Sequence, residues 1–106
     1  QINSAEAPAA GAEDHEARKR KRNELKRLER QEEKLLPELE ESEAEAERLK
    51  KALTLPENYT DHKRARELQE QIRAAEARHE TLMKSWEELE TNRLHLLEEL
   101  ELYNGE

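Results

Sequence analysis

The chain has 106 residues, of which 27 are acidic and 19 basic, so its net charge is −8. It has no cysteine, which excludes disulfides and thiolate metal sites, and no window approaches the roughly 18 apolar residues of a membrane span. Sixteen leucines and thirteen alanines stand against no valine and no phenylalanine. This composition is typical of long helices and coiled coils. We therefore expect an all-α, cytoplasmic protein.

The first segment, residues 1–17, contains Pro8 and Gly11 and shows no apolar periodicity. Small residues and helix breakers of this kind predict a flexible, disordered N-terminal linker. The sequence does not begin with Met, and we expect it to be a piece of a longer protein.

Two stripes follow in which apolar residues recur at intervals of three and four. The first consists of Leu25, Leu28, Glu32, Leu35, Leu39, Ser42, Ala46, Leu49 and Leu53. The second consists of Ala65, Leu68, Ile72, Ala75, His79, Leu82, Trp86, Leu89, Arg93, Leu96, Leu100 and Tyr103. Heptads sustained this long predict coiled-coil packing. A short turn between them predicts an antiparallel hairpin over 18–100, with arms 18–53 and 61–100, the turn at 54–60 and a frayed end at 101–106.

Prolines and caps set the expected helix ends. Pro56 is expected to stop the first arm, and Thr60 or Asp61 can cap the second. Pro37 lies inside the first arm, where it removes a backbone hydrogen bond and clashes with the preceding turn. We therefore predict a break that divides this arm into helices 17–36 and 37–53, with Pro37 at the first position of the second.

In an antiparallel pair of helices, the residue numbers of two opposed positions add up to a constant. We use this sum to name the register of the two arms. We favour 114, because it sets large residues against small ones, such as Leu49 against Ala65, and fills a narrow core. It also opposes Leu35 and His79. A register of 121 would set Ala46 against Ala75, where we expect a void.

No residues suggest catalysis. The only glycines, Gly11 and Gly105, cannot form a phosphate-binding loop. The four histidines match no short-spaced metal-ligand pattern, and His79 is expected to be a partly buried core residue. Trp86 is likewise expected to anchor the core. We therefore expect no enzyme activity, cofactor or metal site in this chain.

One strongly basic run stands out, with eight positive and two negative residues between 18 and 30. Such a run can contact the phosphates of a nucleic acid. In the register 114 it would also face six carboxylates between Glu87 and Glu101, which could neutralise it internally. Charge alone leaves these two readings equal.

The stretch LPENYTD at 55–61, followed by a helix that ends in WEELE at 86–90, resembles the C-terminal domain of ABC-F ATPases, ATP-binding-cassette proteins that include the Uup type. Leu36-Pro37 with Leu39 and Glu40 is similar to a segment of that domain's first arm. The resemblance covers about residues 18–90.

The resemblance implies a hairpin appended to two ATPase cassettes that lie outside this chain and would bind ATP and Mg. Family members act on translating ribosomes, and in Uup-like members the hairpin is associated with DNA binding. It implies nucleic-acid contacts at Arg18, Lys19, Arg20, Lys21, Arg22, Lys26, Arg27 and Arg30. It implies structural signature positions at Pro56, Tyr59, Asp61, Trp86 and Leu89.

Two other functions remain open. The polar residues Glu32 and Ser42 reduce the apolar contact that the first stripe can make within the chain. The hairpin could therefore instead be a protein-interaction or dimerisation coiled coil without nucleic-acid binding. A hairpin like the tRNA-binding arm of a synthetase is a further alternative, although it would not explain the turn and tryptophan motifs. We expect a monomer that contacts DNA, ribosomal RNA or the ribosome, and the sequence does not specify which.

Overall fold

The computed structural model describes the backbone of residues 2–104 and the side chains of residues 13–102. Its elements are α1 (Ile2–Leu53), α2 (Pro56–Tyr59) and α3 (His62–Asn104), and the described backbone contains no strand. Two long helices joined by a short turn form the helical hairpin that the heptads predict.

The first helix begins earlier than residue 18. Residues 13–17, in the predicted linker, are helical, which agrees with the high helix propensity of their Glu and Ala residues. The side chains of the remaining predicted linker, residues 1–12, lie outside the described residues. So do the side chains of residues 103–106, which include most of the predicted frayed end.

The predicted break at Pro37 is wrong, because α1 continues through this residue to Leu53. Pro37 is exposed, so its ring displaces no core side chain. The missing N–H removes only one hydrogen bond from a helix that packs on both sides of this point, where Leu28 and Leu39 are both buried.

The predicted stripes are the buried faces of the helices. All nine positions of the first stripe are buried or half-buried, and so are the eleven described positions of the second. Leu28 and Leu68 are only 3% and 1% exposed. The burial pattern therefore confirms the heptad assignment.

Local hydrogen bonds account for the turn. Asp61 caps α3, because its Oδ1 accepts from the backbone N–H groups of Lys63 and Arg64 at 3.1 and 3.2 Å. The carbonyl of Ala52, at the end of α1, accepts from Asn58 Nδ2 at 2.7 Å and from the backbone N–H of Leu55 at 3.2 Å. Pro56 is the first residue of α2, where its missing N–H costs nothing.

The chain forms two compact units. The root unit consists of residues 1–32 and 89–106, and the turn unit consists of residues 33–88. The turn unit contains the main apolar cluster, which is formed by Ala46, Leu49, Leu68, Ile72 and Ala75, with Ala52 and Leu53 packed against it.

The register of the turn unit is 121, and the prediction of 114 is wrong. Ser42 Oγ lies 2.9 Å from His79 Nδ1, so these two residues oppose each other. Both lie in the seam, by which we mean the contact between the two stripes. The expected pairing of Leu35 with His79 is therefore not formed. Matching of polar side chains decides the register, because a buried hydroxyl or imidazole without a partner costs more than imperfect packing.

Side chains of opposite charge are paired between the two helices of the root unit. Glu32 Oε2 lies 3.4 Å from Arg93 Nε, and Lys21 Nζ lies 2.6 Å from Glu99 Oε2. In the register 114, Lys21 would instead oppose Arg93 and place two cations together in the seam. The observed pairing avoids this repulsion and gives Lys21, Glu32 and Arg93 a partner of opposite charge.

The small layer that the register 121 creates is visible in the structure. Ala46 and Ala75 are both buried in one cluster. Beside this layer lies an open groove of about 380 Å³, lined by Glu43, Ala46, Glu47, Lys50, Glu76, His79 and Glu80. The expected void is therefore a surface groove, which water can fill at little cost.

Candidate nucleic-acid interface

The eight basic residues predicted to contact nucleic acid all lie on α1 in the root unit, but they occupy different faces. Arg18 and Lys21 continue the seam and are half-buried. The other six are exposed, namely Lys19, Arg20, Arg22, Lys26, Arg27 and Arg30. The helical period of 3.6 residues causes this division, because residues 18 and 21 precede Leu25 by seven and four positions.

The outward part of the run forms a basic ridge, which we define as Lys19, Arg20, Lys26, Arg27 and Arg30. From residue 19 to residue 30 the helix rises about 16 Å. Within residues 13–102, no ion pair includes Lys19, Arg20, Lys26 or Arg30. The ridge therefore presents ammonium and guanidinium groups to solvent.

Arg27 is the member of the ridge with a carboxylate partner. Its guanidinium binds Glu24 on the same helix through two nitrogens. This hydrogen bonding lowers the pKa of the Glu24 carboxyl. Both side chains are largely exposed, so a phosphate can compete for the guanidinium without disturbing the core.

The acidic second arm reaches the basic run at Lys21, on the seam side. The Lys21 ammonium hydrogen-bonds the Glu99 carboxylate and lowers its pKa, with a smaller contribution from the charge of His95. His95 Nε2 lies 2.8 Å from the other oxygen of Glu99. The acidic arm therefore neutralises the basic run at Lys21, in the seam, whereas the ridge lies on another face of α1.

Glu32, Glu90 and Arg93 form a charged cluster in the root unit. Arg93 Nη2 lies 2.5 Å from Glu90 Oε1 and Arg93 Nε lies 3.4 Å from Glu32 Oε2. Glu32 Oε1 is buried and has no hydrogen-bond partner among the described residues. Burial, followed by the neighbouring Glu90 carboxyl, raises the pKa of Glu32, while the charge of Arg93 opposes this effect. This cluster joins α1 to α3 in the root unit.

His79 is half-buried in the seam, as its position in the second stripe predicts. Ser42 Oγ donates its hydrogen to the Leu39 carbonyl at 2.9 Å and lies 2.9 Å from His79 Nδ1, from which it accepts when Nδ1 carries the ring hydrogen. Among residues 13–102, no group of three His, Cys, Asp or Glu side chains could hold a metal ion.

The signature positions have distinct structural roles. Pro56 starts α2 and Asp61 caps α3, while Trp86 and Leu89 are half-buried on α3. Tyr59 is 53% exposed at the turn. Asn58 was not among the predicted positions, although an amide side chain within a turn is a recognisable signal for backbone capping.

Within the described part of the chain, no helix has the length and hydrophobicity that crossing a membrane requires. Neither the curated proteins nor the solved structures contain a match to this sequence. A protein-family profile described as the ABC transporter C-terminal domain matches residues 18–91, which include the basic run, the turn and the WEELE motif. This match covers more than half of the sequence, and the chain therefore belongs to the ABC transporter C-terminal domain family.

Proposed function

We propose that this chain is the non-catalytic C-terminal hairpin of a cytoplasmic ABC-F ATPase and that it binds DNA or ribosomal RNA through the basic ridge. The ATP-hydrolysing cassettes, with their ATP and Mg, would belong to the parent protein. The family match and the turn and tryptophan motifs support this assignment.

The observation that carries the proposal is the exposure of the ridge. A run whose cations were all engaged by the acidic arm would have little free energy left for an external anion. Instead Lys19, Arg20, Lys26 and Arg30 are exposed and lack a carboxylate within 4 Å among the described residues. Each can neutralise a phosphate and release a counterion on binding.

The ridge is also built on a rigid element. Its five residues belong to one helix, so their spacing is fixed by a rise of 1.5 Å per residue. A pre-formed row of cations loses less conformational entropy on binding than the same residues in a linker. Such a row recognises the phosphate backbone and carries no base-specific information.

The alternative, a dimerisation or protein-interaction coiled coil, depends on the polar positions of the seam, Glu32 and Ser42. These side chains bond to Arg93 and His79 of the same chain, so their polarity does not call for a second chain. We therefore favour a monomer whose partner is a nucleic acid or the ribosome.

The test is a titration of labelled duplex DNA and of a structured RNA with the 106-residue chain at several salt concentrations. Binding should weaken steeply with salt. The variant Arg20→Gln/Arg30→Gln should lower the slope of log K against log salt by about one unit for each arginine. The matched control Arg73→Gln/Arg78→Gln, which removes two exposed arginines of α3, should leave the slope unchanged.

Two results would contradict the proposal. If neither polymer binds at low salt, the chain by itself is not a nucleic-acid-binding domain. If both double variants weaken binding equally, the attraction reflects net charge and not the ridge.

A further inference from the structure

The turn end of the chain has a second concentration of positive charge, separate in sequence from the basic ridge. Residues 50–66 contain five basic and two acidic side chains, for a net charge of +3. The flanking stretches 31–49 and 67–87 have net charges of −6 and −2. A polyanion would therefore be repelled by these stretches and attracted again at the turn.

An aromatic and an aliphatic side chain project from the same turn. Tyr59 is 53% exposed and Leu55 is 46% exposed, whereas the apolar cluster of the turn unit ends with Leu53 and Ala52. Leu55 has an extended backbone, with φ −78° and ψ 132°, and α2 starts directly after it at Pro56.

The turn holds these side chains in a fixed frame. Tyr59 N–H donates to the Leu55 carbonyl at 3.0 Å, and Asn58 Nδ2 bonds the Ala52 carbonyl at 2.7 Å. Arg64 Nε lies 3.4 Å from Asn58 Oδ1, which holds the guanidinium beside the turn. Arg64 Nη1 also lies 3.8 Å from Glu67 Oε2, in an exposed ion pair that a phosphate can replace at little cost. Because the bonds of the turn already fix the backbone that carries Tyr59, little conformational entropy is lost when its ring binds a planar group.

Several cations adjoin the ring in sequence. Lys51 lies in the last turn of α1, and Lys63 is the second residue of α3. Both are exposed, and no ion pair found within residues 13–102 includes them. Proteins that bind single-stranded nucleic acids combine an exposed aromatic ring, on which bases stack, with cations that contact the phosphates. The turn and the two helix ends beside it carry both kinds of side chain.

We propose that the turn is a second nucleic-acid contact, which takes unpaired bases. Tyr59 stacks on a base, while Lys51, Lys63 and Arg64 bind the adjacent phosphates. The inference rests on the proposed function and refines it, because the ridge binds phosphates of any strand whereas the turn selects single strands and loops. An acidic protein would match the charge, but one ring with one leucine offers little apolar area for a protein interface.

The test compares a labelled single-stranded RNA of about 12 nucleotides with a blunt duplex, at one low salt concentration. Tyr59→Ala should weaken binding of the single strand by about 5-fold or more, which is the effect of losing one stacked base. It should leave duplex binding unchanged. Tyr59→Phe retains the stacking face and should bind the single strand like the wild type. Because Tyr59 is exposed, both variants should keep the wild-type helical circular dichroism.

The outcomes separate this inference from the proposed function. If Arg20→Gln/Arg30→Gln weakens both polymers but Tyr59→Ala changes neither, the ridge binds and the inference about the turn is wrong. If Tyr59→Ala weakens single strand and duplex equally, the ring does not select unpaired bases. If no polymer binds the wild type, both proposals fail together.

Discussion

Replacing Glu32 by leucine should stabilise the protein, because the Glu32 carboxyl is unfavourably buried in the seam. Its side chain is 14% exposed, and one carboxylate oxygen is buried without a hydrogen-bond partner among the described residues. Full burial of a leucine side chain contributes about 1.5–3 kcal/mol. The lost contact with Arg93, at 3.4 Å, costs less than about 1 kcal/mol, and Arg93 keeps its bond to Glu90. We therefore expect Glu32→Leu to gain about 1 kcal/mol at neutral pH.

The assay is thermal unfolding followed by helical circular dichroism. For a chain of this size, a gain of about 1 kcal/mol corresponds to a rise in Tm of about 4–8 °C. The matched control is Glu33→Leu, the same change at the exposed neighbouring position, which should stay within about 0.5 kcal/mol of the wild type.

The gain should also depend on pH. Burial raises the pKa of Glu32 in the folded state, so folding is penalised once this carboxyl ionises and the penalty disappears as it is protonated. Carboxyls with lowered pKa values, such as Glu99, lose stability at low pH equally in both proteins. The advantage of Glu32→Leu should therefore shrink from neutral pH to about pH 4. An equal gain in Glu33→Leu, or a gain that does not change with pH, would refute this reasoning.

Three further substitutions test the packing and the caps. Ser42→Ala leaves His79 Nδ1 without its partner and should cost about 1 kcal/mol in the free energy of unfolding, measured with urea. Asp61→Ala removes the N-cap of α3 and should cost about 1 kcal/mol in the same assay, whereas Asp61→Asn should retain most of the cap. Leu68→Ala, at a side chain 1% exposed, should cost about 2–5 kcal/mol. The same change at Leu36, which is 47% exposed, should cost far less; equal losses would contradict the assigned core.

The periodic part of the fold could be predicted from the sequence. The stripes, the turn and the cap at Asp61 follow from local spacing and from side chains that bond to nearby backbone. Pro37 misled the prediction because helix propensity is local, whereas packing along a long helix tolerates one missing hydrogen bond at an exposed position.

The register could not be obtained from side-chain volume alone. Opposing large and small residues favoured 114, whereas the structure opposes Ser42 and His79 and brings Glu32 close to Arg93. These polar residues were visible in the sequence, and pairing Ser42 with His79, whose numbers add to 121, would have favoured this register. The faces of the basic run could be derived from the same heptad, because Arg18 and Lys21 fall in line with Leu25 and the ridge does not.

The most direct test of the ridge is a map of the bound surface. The isotope-labelled chain is titrated with an unlabelled duplex at low salt, and backbone amide shifts are followed by NMR. If the ridge binds phosphates, the largest shifts fall in residues 19–30, and at equal duplex concentration they are smaller in Arg20→Gln/Arg30→Gln but unchanged in Arg73→Gln/Arg78→Gln. If the duplex causes no shifts, or shifts that are as large in α3 as in residues 19–30, the ridge is not the nucleic-acid interface.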